Sequence, residues 1–278
     1  MAPMILYFFL LTFAQCLAFP QSDSPVEGIP TLPRPSTKAC IVPILSAACD
    51  SYGLVSTNSF DLPPACPFTN WSRIILTLQS SINGTQFDRY GAFWIGEIEV
   101  LRLTTPEPTA AGIVWTVEKD VSYLSSYILS EENRNAILSI PNNVDSTYTG
   151  IFQVDIVLEF YSSDIAAKIY PIANSPIILP LTKAPSSSDG SPWDVMSQAG
   201  DEAFVYSITS LDIGNPEHSI AEIYVEVFAS GHGCDEFYYS NVPTEEAESL
   251  GICGGGTYRE VQGMPSIFLS LVGFKLAN

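Results

Sequence analysis

Over residues 151–161 large apolar side chains recur at every second position. Phe152, Val154, Ile156, Leu158 and Phe160 fall on one parity, and Gln153, Asp155 and Glu159 on the other. A period of two is what a half-buried antiparallel strand requires, so this run is read as a strand with one face in a core. Residues 73–79, 93–101, 113–117 and 136–140 read as further strands; in the second of these, Glu97 and Glu99 alternate with Ile98 and Val100. Turn formers separate the runs: Asn83-Gly84, Pro106, Pro108, Pro141-Asn142 and Gly150. Short strands divided by such turns predict an all-β protein built as an antiparallel β-sandwich.

The flanking sequence behaves differently. Residues 1–18 hold no charged side chain and an apolar core from Ile5 to Leu11, which predicts a secretory signal peptide cut after Ala18. A membrane anchor is the competing reading, but the run is shorter than the roughly 20 residues of a spanning helix. Residues 19–65 form a Pro- and Cys-rich extension; prolines at 20, 25, 30, 33 and 35 resist both helix and central strand. The first sandwich is placed at residues 66–180, and a Ser/Pro/Gly/Asp-rich linker or surface loop at 181–200. Alternation resumes with Ile223, Val225 and Val227, so residues 201–278 are read as a partial second β-sandwich with an apolar tail.

Composition narrows the function. Lys and Arg number 11 against 30 Asp and Glu, for a net charge of −19, and the basic residues form no patch. Phosphate backbones need clustered cations, so nucleic acid is excluded as a partner. Charged residues make up 15% of the chain and hydrophobic ones 46%, which favours packed β-structure over disorder. Loss of Cys16 with the signal leaves five cysteines, an odd number, so at least one is unpaired. Cys234 and Cys253 flank one short aromatic segment and are the favoured disulfide. His218 and His232 are the only histidines, which argues against a His-rich metal site; no metal and no cofactor is expected. The sequons Asn70-Trp71-Ser72 and Asn83-Gly84-Thr85 fit a secreted, glycosylated chain.

Candidate chemistry centres on Phe87-Asp88-Arg89-Tyr90, an ionisable pair where a strand emerges from a polar turn. Further landmarks are Glu107-Pro108-Thr109, Trp115 to Asp120, Val144 to Gly150, Cys234 to Val242 and Tyr258 to Gln262. In this order the chain resembles the peptide N-acetyl-beta-D-glucosaminyl asparaginase amidase A family over residues 66–262. The resemblance implies a jelly-roll first domain and an amidase that cuts between an asparagine side chain and the first N-acetylglucosamine of an N-linked glycan. Its partners would be N-glycosylated peptides or glycoproteins. The Asp-Arg-Tyr run is also similar to that of bacterial peptide N-glycosidase F, which implies a catalytic role for Asp88. Likewise Gly233-Cys234-Asp235-Glu236 matches that enzyme's Gly-Cys-x-Glu and points to Glu236. After Gln262 this chain departs from the family pattern, so the resemblance implies a truncated or misjoined chain.

Amide hydrolysis of this kind needs a carboxylate to take a proton from water, a donor to hold the oxyanion and an acid beside the leaving nitrogen. Asp88, Arg89 and Glu236 are the candidates for those roles, with Asp145 a looser match to a third carboxylate. Two other outcomes compete: a non-catalytic carbohydrate-binding or structural sandwich, and a glycosidase that uses the same carboxylates on the sugar bond. Gly254-Gly255-Gly256 lacks the setting of a phosphate cradle, and His218-Ser219 lacks a nucleophile elbow. Trp94, Trp115, Trp193, Tyr238 and Tyr239 are read mainly as core or rim aromatics, with sugar stacking the weaker reading.

Overall fold

The structure, a computed structural model, describes residues 25–27, 31–52, 54–63 and 71–162, together with Ile178, Pro180, Ala184, Pro185 and Glu226. The chain divides into two compact units, Met1–Gly214 and Asn215–Asn278, and every described strand belongs to the first. The strands are β1 (Pro25–Glu27), β2 (Cys40–Cys49), β3 (Ser56–Ser59), β4 (Trp71–Ile82), β5 (Tyr90–Ile95), β6 (Ile98–Thr104), β7 (Ile113–Asp120), β8 (Asn135–Ser139) and β9 (Phe152–Ser162). They form a five-stranded sheet in the order β1-β7-β4-β9-β2 and a four-stranded sheet in the order β3-β8-β5-β6. All pairings are antiparallel except β1 with β7. A short helix, α1 (Ser125–Leu129), lies between β7 and β8 with a 3₁₀ turn on either side.

The inner faces of the two sheets make the core, as an all-β sandwich demands. β9 supplies Phe152, Val154, Ile156, Leu158 and Phe160, each at most 1% exposed, and it sits between β4 and β2. Burying one such side chain stabilises the fold by about 1.5–3 kcal/mol, so the alternation of β9 alone fixes which way the strand faces. Ile74, Leu76 and Leu78 of β4 and Phe93, Ile95 and Leu138 from the other sheet meet it.

Two local readings change. Residues 93–101 are not one strand: β5 ends at Ile95 and β6 begins at Ile98, the two paired across a two-residue turn. Gly96 makes the turn possible, with φ +55° and no room for a side chain, since a Cβ would stand 2.6 Å from Tyr127 Oη. The stretch around Cys40 and Cys49, read as loop-rich extension, is instead the ten-residue edge strand β2. Pro43 hid it. Proline gives no ladder N–H and is tolerated at an edge or a bulge, and here the register slips between Pro43 and Leu45. Cys49, which ends β2, is a free buried thiol whose pKa burial pushes up to about 12, with help from the nearby Asp50 charge.

The segment before β2 crosses the outer face of the five-stranded sheet and is pinned there by Arg34. The Arg34 guanidinium donates to Glu118 Oε1 at 2.5 Å and Oε2 at 3.0 Å, and to Glu159 Oε1 at 2.9 Å and Oε2 at 3.2 Å. Leu32 N–H donates to Glu118 Oε2 at 2.7 Å, and Thr77 Oγ1 and the Tyr161 hydroxyl donate to Glu159. On the opposite side of the sandwich, Ala92, Trp94 and Ile137 form a second small cluster against which Val55 and Ala184 pack. Trp94 and Trp115 are both buried and belong to the packing.

Candidate functional site

Asp88 lies in the loop that joins β4 to β5, half-buried, two residues before β5 begins. Its backbone surroundings are clamped on both sides. Arg89 N–H donates to Thr105 Oγ1 at 2.8 Å and Thr105 N–H donates back to the Arg89 carbonyl at 2.7 Å, which adds a rung beyond the Tyr90–Thr104 pair. On the other side stands Gln86, 6% exposed. Its Nε2 donates to the Asn143 carbonyl at 3.0 Å and the Gly150 carbonyl at 3.3 Å; its Oε1 accepts Phe87 N–H at 3.1 Å and Arg89 Nη2 at 2.7 Å.

A second buried amide extends this frame. Asn142 is fully buried, and its Nδ2 donates to the Cys49 carbonyl at 2.9 Å and the Gly150 carbonyl at 3.0 Å. Gln86 and Asn142 thus tie the β2–β3, β4–β5 and β8–β9 loops together at one end of the sandwich. A buried amide with both ends satisfied is worth keeping, because leaving its partners without donors costs about 1–3 kcal/mol each.

Asp145 is carried by the β8–β9 loop and is exposed. Its Oδ1 accepts the N–H groups of Thr147 at 2.7 Å and Tyr148 at 2.8 Å, and its own N–H donates to the Tyr148 carbonyl at 2.9 Å. The Tyr148 and Thr147 donors hold its carboxyl below the usual carboxylate range. The loops of Asp88 and Asp145 also touch directly, the Phe87 and Tyr148 rings lying 5.3 Å apart at 44°.

The Arg89 guanidinium is oriented by Gln86, while the Asp88 carboxylate makes no hydrogen bond or ion pair among the described residues. Glu236 lies outside the described residues, as do Cys234, Cys253, His218, Ser219, Trp193, Tyr238, Tyr239, the leader at 1–18 and Gly254 to Gly256. Among the described residues no group of His, Cys, Asp and Glu is arranged to hold a metal, and no helix is long and apolar enough to cross a membrane.

Sequence reasoning missed the surroundings of the pair. Tyr52, Leu54, Phe87 and Val144, on these same three loops, are large hydrophobics left exposed. The available signal was their position: large apolar side chains inside otherwise polar turns, as in Ser51-Tyr52-Gly53-Leu54.

Known proteins bear on this geometry. A family model described as "Peptide N-acetyl-beta-D-glucosaminyl asparaginase amidase A" matches residues 30–264. The chain is 34% identical over 242 residues to the peptide-N4-(N-acetyl-beta-glucosaminyl)asparagine amidase A of Prunus dulcis, covering 82% of this chain and 41% of that protein. It therefore spans less than half the length of this relative. Among solved structures, tomato aspermy virus (11% identity, 60% of this chain, 100% of that chain) and the tobacco streak virus coat protein (10%, 52%, 99%) match with TM-scores of 0.29 and 0.28. Scores this low bear on neither fold nor function. The family match spans β2 to β9 and takes in Asp88, Arg89, Asp145 and Glu236, and by it the chain belongs to the peptide N-acetyl-beta-D-glucosaminyl asparaginase amidase A family.

Proposed function

We propose that this chain contributes the Asp88 half of a secreted amidase that hydrolyses the bond between an asparagine side chain and the first N-acetylglucosamine of an N-linked glycan. The reading rests on family membership and on one observation: an Asp88 carboxylate without a partner among the described residues, set in a loop whose backbone is fixed by Thr105 and Gln86. Asp88 takes a proton from the attacking water, whose oxygen adds to the side-chain carbonyl carbon. Arg89, aimed by Gln86, steadies the developing oxyanion. Glu236 delivers a proton to the departing nitrogen, so the peptide keeps an aspartate and the glycan leaves as an amine. Asp145, with one oxygen committed to its own turn and its pKa lowered, serves as a fixed negative charge rather than a proton donor.

Two finer points belong to the same reading. Cys40 is disulfide-bonded, which supports passage through an oxidising compartment. The orders β2-β9-β4-β7 and β3-β8-β5-β6, with the chain repeatedly crossing between sheets, support describing the sandwich as a jelly roll.

Product analysis on a glycopeptide tests the proposal. An amidase converts the glycosylated Asn to Asp and releases the whole glycan. A sugar stub left on Asn identifies a glycosidase, and an intact glycopeptide that stays bound identifies a carbohydrate-binding module; either result overturns the assignment.

A further inference from the structure

The end of the sandwich that carries Asp88 also holds a half-open cavity of about 320 Å³ over the ends of the three inner strands of the five-stranded sheet, β7, β4 and β9. Its floor is a row of direct cross-strand partners, Val114 on β7, Ser81 on β4 and Gln153 on β9. Asn83, Gly112, Thr149 and Ile151 form part of its rim. Neither the core nor the proposed reaction uses this space.

Asn83 heads the sequon Asn83-Gly84-Thr85, and all three residues are exposed. Its side chain lies on the cavity side of the turn: Cβ and Cγ are 3.4 and 3.5 Å from where a Cβ on Gly112 would stand. A substituent on Asn83 Nδ2 therefore starts at the cavity mouth. The turn is shaped for this placement by Gly84, with φ +106° and a position where a Cβ would meet Thr149 Oγ1 at 2.7 Å. In the other sequon, by contrast, Trp71 is buried in β4 and the Ser72 hydroxyl donates to the Tyr161 carbonyl at 3.1 Å.

We propose that Asn83 is N-glycosylated and that the first N-acetylglucosamine of its glycan rests in this cavity, over Val114, Ser81 and Gln153. A pyranose ring has an apolar face and a polar rim. Val114 and Ile151 suit the first, and the Gln153 amide with the Ser81 and Thr149 hydroxyls suits the second. The volume lies at the small end of ligand clefts, about 300–1,000 Å³, as a single ring requires. The bond formed joins Asn83 Nδ2 to the anomeric carbon of an oligosaccharide delivered on a lipid pyrophosphate. The anomeric carbon–oxygen bond to the pyrophosphate breaks, and the amide nitrogen loses one proton. Seated there, the sugar braces the turn through which Thr149 Oγ1 accepts Thr85 N–H at 3.2 Å, and so joins the loops of Asp88 and Asp145.

This inference rests on the secretory part of the proposed function, and one preparation tests both. The full chain is expressed in a eukaryotic secretory host, its N-terminus is sequenced, and the peptide bearing Asn83 is weighed. The expected result is a processed N-terminus and hexosamine on Asn83. The glycan should be released by an added glycan-releasing amidase at least about tenfold more slowly from native than from denatured protein, because the sugar must first leave its seat. Val114→Lys, on the outer face of the sheet, should abolish that protection while leaving the glycan attached. A processed N-terminus with bare Asn83, or equally fast release from native protein, overturns this inference alone; a retained leader with no hexosamine overturns the secretory reading with it.

Discussion

On the outer face of the five-stranded sheet, Glu118 and Glu159 converge on Arg34 with every oxygen engaged. At the loop end of the same sandwich, Asp88 sits with its backbone clamped and its carboxylate without a partner among the described residues. The first arrangement serves the fold, because a partly buried carboxylate is tolerable once donors surround it. The second does nothing for stability. Here the nearby donors bypass the carboxylate: Arg89 N–H goes to Thr105, and the Arg89 guanidinium to Gln86 and to the main-chain carbonyl of Asp88. The carboxylates that hold the chain together are thus separated in space from the one proposed for chemistry, and the two kinds are told apart by their donors.

The sharpest way to break this contrast is Asp88→Asn in protein that turns over a glycopeptide. Loss of general-base help should lower the rate by about 10²–10⁴-fold, while the thermal midpoint stays put, since the amide replaces a group with no structural partner. Turnover near the wild-type rate would remove Asp88 from the mechanism.

Gln86→Ala should separate placement from chemistry. It strips the donor from the Asn143 carbonyl, one of two from the Gly150 carbonyl and the acceptor from Phe87 N–H, so about 1–3 kcal/mol of stability should go, read by chemical denaturation. The rate should fall too, because Arg89 loses its guide; unchanged stability would show that the loop frame lies elsewhere.

Arg34→Met is the mirror image. It should cost about 1 kcal/mol, the scale of a partly exposed ion-pair network, and leave turnover unchanged. A variant that lost activity would connect the outer face to the site and blur the comparison.

Smallest is the effect of acid on the wild type. Burial alone would raise the carboxyls of Glu118 and Glu159, but the Arg34 hydrogen bonds and charge more than offset it, so both titrate below the ordinary glutamate value. A folded-state pKa below the unfolded one gives stability that is present above about pH 4.3 and lost as pH falls through the lowered value. The thermal midpoint should decline over that window, and Arg34→Met should flatten the decline. An identical slope in both proteins would mean that the network contributes nothing.

The sequence shows β9 plainly because every second residue from Phe152 to Phe160 is a large apolar one that faces the core. It conceals the β5–β6 hairpin because β5 is buried on both faces, Phe93 and Ile95 in the main core and Ala92 and Trp94 in the second cluster, so no alternation marks where the strand ends, and the switch of core parity from Ile95 to Ile98 goes unseen. β2 was lost to Pro43, which reads as a breaker until the strand is known to lie at an edge. The position of Asp88 at the start of a strand was legible. The amides that fix its loop were not, since Gln86 and Asn142 look like solvated turn residues. Their burial depends on partners 57 and 93 residues away in the chain.

The pairing of β2 with β9 also sets a timetable. β2 is complete at Cys49, but its hydrogen-bonding partner ends only at Ser162, so during synthesis the strand must wait for more than a hundred further residues. At roughly 5–20 residues per second that interval is on the order of ten seconds. Throughout it Ile44, Leu45 and the Cys49 thiol have no sheet to enter. Cys49 reaches its protected state only when Phe152 arrives opposite it, and until then, in an oxidising compartment, it is open to the wrong cysteine. Of the described strands, the last one made is thus the one that covers the thiol of an early one.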